Sequence, residues 1–152
     1  MRSAAIFLFA TLSIALVGSA AASGDDRYMV EMELWIDGEQ RGTPLVVLPP
    51  GEQGSVEVRN EEGDQGWKIE VLVEAPAATQ SAPLGSTWLN LAVHELQDGE
   101  WNLLADSLLG VPEGRSTSMS VVGSEVEQAT RENSRVHLSA RASLMRPGER
   151  QP

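Results

Sequence analysis

The sequence has no cysteine, one lysine (Lys68), two histidines, and one tyrosine and two phenylalanines beside four tryptophans. Without cysteine there can be no disulfide, thiolate nucleophile, iron–sulfur cluster or thiolate zinc site, so stability must come from core packing. Positive charge is scarce too. Eleven Lys and Arg face 22 Asp and Glu, a formal net charge of -11. Phosphate recognition needs clustered cations that release counterions, so a nucleic-acid role is disfavoured, as is adsorption to anionic lipid. The chain also lacks the G-x-S-x-G elbow, the phosphate loop and the G-x-G-x-x-G fingerprint. With no such signature, the expectation is a protein that is not an enzyme and carries no cofactor.

No apolar run is long enough to span a bilayer, which takes about 20 residues. The longest, Ala4 to Val17, follows Arg2 and precedes the small residues Ala20-Ala21-Ala22. A cationic start, a short apolar centre and an A-x-A site describe an export leader cut after Ala22. Residues 1–22 are therefore expected to be a signal peptide, and 23–152 a single domain in the periplasm or outside the cell, without stable membrane insertion. No cysteine stands at the cut to carry a lipid. Without Arg2, 22 acidic residues face 10 basic ones, and six of those ten lie after Gly114. This basic final segment is expected to pair with acidic neighbours inside the fold.

The dominant pattern in what remains has period two. Val30, Met32, Leu34 and Ile36 alternate with Glu31, Glu33 and Trp35, and Ile69, Val71 and Val73 with Lys68, Glu70 and Glu74. Val136, Leu138, Ala140, Ala142 and Leu144 share one face of a last run. Such alternation reads as half-buried strands. Shorter candidates are Pro44 to Leu48, Ser55 to Arg59, Thr87 to Leu96, Trp101 to Leu104 and Ser118 to Val122, separated by turn residues such as Asp37-Gly38, Pro50-Gly51 and Asp98-Gly99. The polar stretch Glu125 to Asn133 reads as a loop. Leu89, Leu91 and Val93 are in phase but Leu96 is not, which places a β-bulge near His94-Glu95.

The chain also echoes itself. LWIDGEQRGTPLVVLPPG (34–51) parallels ELQDGEWNLLADSLLGVPEG (95–114), and each copy continues with a short strand, a polar loop and a long strand. The expected architecture is all-β: an antiparallel β-sandwich of about eight strands, built from two similar four-stranded modules, 28–76 and 86–147, stacked face to face and joined by the linker 77–85. A partly closed β-barrel is the alternative. About 130 residues can bury enough surface to stand without disulfides.

Asp37-Gly38, Thr43-Pro44, Val46 to Leu48, Pro50-Gly51, Val56, Val58 and Ile69 to Val73, repeated by Trp101, Leu103, Leu104, Val111 and Gly114, form a turn-and-core pattern. It resembles small, signal-bearing, β-rich periplasmic proteins of gammaproteobacteria and the periplasmic segments of BlaR-like membrane peptidases. The peptidase itself is not part of the likeness, since its His-Glu-x-x-His motif is absent here. The resemblance implies a periplasmic accessory or sensing domain.

The candidate contact residues are aromatic. Trp35 shares a strand phase with glutamates, and Trp88 a phase with Asn90 and His94. Both point away from the inferred core, and exposed tryptophan anchors protein partners or stacks on sugar rings. A surface around Trp35, Trp88 and His94 is thus expected to bind a protein or another envelope component; a carbohydrate or small ligand is the alternative. Trp67 and Trp101, just after turns, are expected to plug the ends of the sandwich. Two histidines without a third ligand make no metal site.

Overall fold

The computed structural model describes residues 26–74 and 86–146. The expected leader and the linker 77–85 lie outside the described residues. Nine strands follow in order: β1 (Arg27–Ile36), β2 (Glu39–Gly42), β3 (Leu45–Leu48), β4 (Gln53–Arg59), β5 (Gly66–Glu74), β6 (Ser86–Gln97), β7 (Glu100–Pro112), β8 (Ser116–Val121) and β9 (Val136–Met145). They form two antiparallel sheets. In the five-stranded sheet β2 and β3 both pair with β1, which pairs with β9, which pairs with β8; the other sheet has the order β4-β5-β6-β7. The sheets do not close into a barrel, and the fold is the expected β-sandwich.

Alternation built both inner faces. Val30, Met32, Leu34 and Ile36 of β1 face Val136, Leu138, Ala140 and Ala142 of β9 in register, and all are buried. In the opposite sheet Ile69, Val71 and Val73 of β5 lie beside Val93, Leu91 and Leu89 of β6, equally buried. Each such side chain removed from water contributes about 1.5–3 kcal/mol, against the entropy of ordering its strand.

Two strands depart from the sequence pattern. β2 consists of Glu39-Gln40-Arg41-Gly42 and has no apolar residue to signal it. It forms because the Asp37-Gly38 turn folds it back on β1, pairing Ile36 with Glu39 and Trp35 with Gln40. Pro44 then separates it from β3, a break an edge strand tolerates because no ladder donor is needed there. β7 runs eight residues beyond Leu104, the expected end. Its paired leucines, Leu103-Leu104 and Leu108-Leu109, hide the alternation. The register against β6 shifts between Val93 and His94, where Ala105 and Leu103 are the successive partners, so Leu104 is the extra residue. The bulge is thus close to where the sequence placed it, but β7 carries the additional residue.

The repeated halves are not the two layers. The first half supplies β1–β3 to one sheet and β4–β5 to the other, and the second supplies β6–β7 and β8–β9 the opposite way. Exchanging β1 with β6, β2/β3 with β7, β4 with β8 and β5 with β9 converts one sheet order into the other. The corresponding turns match: Asp37 and Asp98 both have φ 52°, followed by Gly38 at 75° and Gly99 at 79°. These are the left-handed pairs that a two-residue hairpin of primed type requires. The two halves join edge to edge, β1 to β9 and β5 to β6, and one core fills the space between the sheets.

Candidate functional site

Trp35 and Trp88 do not share a surface. Trp35 alternates with buried Leu34 and Ile36 in the five-stranded sheet, and Trp88 with buried Thr87 and Leu89 in the four-stranded one. Both are half-buried and turn outward from inner faces that oppose each other, so they stand on opposite outer faces. The single surface expected around them is therefore corrected: Trp88 and His94 share an outer face, about 20 Å apart along β6, and Trp35 belongs to the other.

Trp35 is already engaged. Its indole N–H donates to Glu33 Oε1 at 2.6 Å, and the Arg131 guanidinium, from the loop between β8 and β9, lies 5.8 Å from the ring centroid and 3.3 Å from the same carboxylate. This is a cation–π contact closed by an ion pair. Arg135 binds Asp37 and also reaches Glu95. The expected pairing of the basic final segment with acidic neighbours is present, although Arg131 and Arg135 precede β9 rather than belonging to it. His137, opposite Trp35 across β1 and β9, lies 2.8 Å through Nδ1 from the Ser120 hydroxyl. Burial, and then the nearby Arg131 charge, hold its pKa below the ordinary 6.5.

The other outer face belongs to the four-stranded sheet. Its cross-strand rows are Glu74, Trp88 and Gly110; then Gln53, Leu72, Asn90 and Leu108; then Ser55, Glu70, Ala92 and Asp106; then Glu57, Lys68, His94 and Leu103; then Arg59, Gly66, Leu96 and Trp101. The small Ala92 and the neighbouring row of Gln53, Leu72, Asn90 and Leu108 form a shallow groove of about 480 Å³ that Glu70 and Asp106 border. At one end Trp88 lies over Gly110, where a Cβ would come 3.3 Å from the ring. At the other, Trp101 takes Arg59 and Lys68 against its ring, each 5.3 Å from the centroid. Leu96, out of phase with the core, is nevertheless 2% exposed, flanked by Trp101 and Gly66.

Trp101 therefore covers an outer patch, not the end of the sandwich; Trp67 is the tryptophan buried inside, near Gly42 of β2. Between these ends Leu103 is 55% and Leu108 52% exposed. Glu70 receives Lys68 at 3.0 Å and His94 at 3.3 Å. The Lys68 hydrogen bond is the largest influence holding its carboxyl below the ordinary 4.5.

Sequence reasoning singled out Trp88 and His94 on this face but missed Leu103, Leu108 and Asp106. A bulge is invisible to a fixed period, and it is the bulge at Leu104 that places Leu103 and Leu108 on one face. Among the described residues no helix is long and apolar enough to cross a membrane, and no group of three or more His, Cys, Asp or Glu could hold a metal ion. No family model matches the sequence, and neither a curated protein nor a solved structure matches it significantly.

Proposed function

We propose that this chain is an exported, non-enzymatic binding module, accessory or sensing in role, whose partner is an envelope protein seated on the outer face of the four-stranded sheet. The observation that carries this reading is the pair of leucines, Leu103 and Leu108, more than half exposed on one strand beside a groove and between two tryptophan-covered ends. Apolar anchors within a polar surround are the composition of a protein-binding patch. The opposite face has exposed Leu45 and Val47, but its tryptophan is held by Arg131 and Glu33. Export rests on the leader read in residues 1–22, and the resemblance to periplasmic accessory segments agrees with it.

A second reading has one observation of its own. Trp88, Asn90, Glu74 and Gln53 lie in adjacent rows, with the Asn90 amide donating to Glu74 at 3.1 Å. An indole beside planar polar groups suits a sugar ring and its hydroxyls.

Photo-crosslinking residues placed at 103, 108 and 45 in living cells separate the possibilities. The proposal expects one envelope protein joined at 103 and 108, absent at 45, and lost with Leu108→Asp when the crosslinker is at 103. Adducts equal at all three positions would overturn it. Tryptophan quenching by envelope glycans that disappears in Trp88→Ala would favour the second reading.

A further inference from the structure

We infer that β8 is a self-pairing edge, through which two copies of this chain form an antiparallel two-fold dimer. An open sheet edge presents unpaired N–H and C=O groups, and proteins guard such edges with charge, proline, bulges or interruption. Among the described residues, three of the four sheet edges are guarded. β4 carries Glu57 and Arg59 on its outer side, β7 carries the bulge at Leu104, and Pro44 interrupts the edge made by β2 and β3.

β8 has none of these devices: its sequence is Ser-Thr-Ser-Met-Ser-Val, and it ends its sheet. The contrast with β4 is informative because the two strands hold corresponding places in the repeated topology. Gly51 before β4 donates its N–H to Val73 of β5 as Gly114 before β8 donates to Ala142 of β9, so Ser118 corresponds to Ser55. Ser120 then stands where the other half has Glu57, and no residue of β8 matches Arg59.

The occupant follows from symmetry and charge. A two-fold through Ser118 sets it against Ser118 of the second copy, and Ser116 against Ser120. The outer row becomes serine on serine, a pairing that cross-strand hydrogen bonding favours. The inner row sets Thr117 against Met119.

Just before β8 stands Arg115, and four residues after it Glu125; both are exposed, and neither forms an ion pair among the described residues. Antiparallel pairing carries each Arg115 toward the end of the second copy from which Glu125 extends. A contact of this kind uses the same patch on both copies and therefore closes at two.

The absence of cysteine makes the test clean. Ser118→Cys should form an interchain disulfide under mild oxidation, because the two-fold sets this residue against itself, whereas Ser55→Cys on β4 should not. Sedimentation equilibrium of the purified protein should show a monomer–dimer equilibrium, weakened at least tenfold by Ser118→Glu, which sets like charges directly opposite each other. The fold should tolerate that change, since Ser118 is exposed on a strand that ends its sheet; if it does not, the cysteine pair decides alone. A protein that stays monomeric, a dimer indifferent to Ser118→Glu, or crosslinking no faster at 118 than at 55 would overturn the inference.

Discussion

Arg135 Nη2 lies 2.7 Å from Glu95 Oε2, a contact that ties the start of β9 in one sheet to β6 in the other. The Glu95 side chain is only 12% exposed and the same guanidinium also holds Asp37 in the β1–β2 turn. One residue thus fastens the two layers and a hairpin at the same end of the sandwich. Arg135→Ala leaves a mostly buried carboxylate without its charged donor, with the Gln97 amide at 3.0 Å still donating to it. Urea unfolding should show a loss of about 1–2 kcal/mol, the value expected for a charged hydrogen bond reduced by partial exposure of the arginine. Asp37→Asn should cost less, because Asp37 is the more exposed of the two acids.

The matched hairpins permit an internal comparison. At Gly99 an added Cβ meets nothing within 4 Å, so Gly99→Ala carries only the strain of a left-handed residue, about 1–2 kcal/mol. At Gly38 the same Cβ would come 2.6 Å from the Glu132 carbonyl oxygen. Gly38→Ala should therefore be the more destabilising of the two by thermal melting, and the excess measures how rigidly the β8–β9 loop sits on the turn.

Trp101 holds together an outer patch that period-two logic does not foresee. Trp101→Ala uncovers Leu96 and removes the ring from both Arg59 and Lys68. The expected cost is about 2 kcal/mol, between that of exposed cation–π contacts and that of a core tryptophan. Tryptophan emission spectra of the folded variant should lose a component that two adjacent cations shield from collisional quenching by cesium ions.

His137 sets a pH dependence whose sign can be stated. Its folded pKa is lowered by burial, and then by Arg131, so the unfolded chain binds the proton more readily. Its contribution to stability is complete above the unfolded value near 6.5 and is lost as pH falls through the lower folded value. Glu70 acts in the same direction in a lower window, below the ordinary carboxylate value of 4.5. NMR titration should place the His137 midpoint below 6.5, and His137→Gln should flatten the stability profile between neutrality and that midpoint. An unshifted midpoint would contradict the packing described for β1, β8 and β9.

Most strands were legible because a strand's signal is local. Val30 to Ile36 and Val136 to Leu144 announce themselves by alternation, and Asp37-Gly38 and Asp98-Gly99 by the left-handed backbone these residues tolerate. β2 was not legible, because a register imposed by a turn writes nothing into the strand it recruits. The far half of β7 was not, because the bulge at Leu104 breaks the period exactly once. Of the candidate site, Trp88 and His94 were found from their phase, whereas Leu103 and Leu108 look like core residues until the bulge assigns their face.

The sequence alone determined the all-β class, the inward phase of each regular strand, both primed turns and the chemistry excluded by the lack of cysteine. These depend on neighbours two residues away and on the conformational limits of single residues. Only the tertiary structure decided which sheet each strand joins, and so that Trp35 and Trp88 stand on opposite faces, that each half spans both layers, and that β8 is an unguarded edge. Those outcomes depend on pairings between strands distant in the chain, where many registers satisfy the same alternation and only the packing of the two inner faces selects among them.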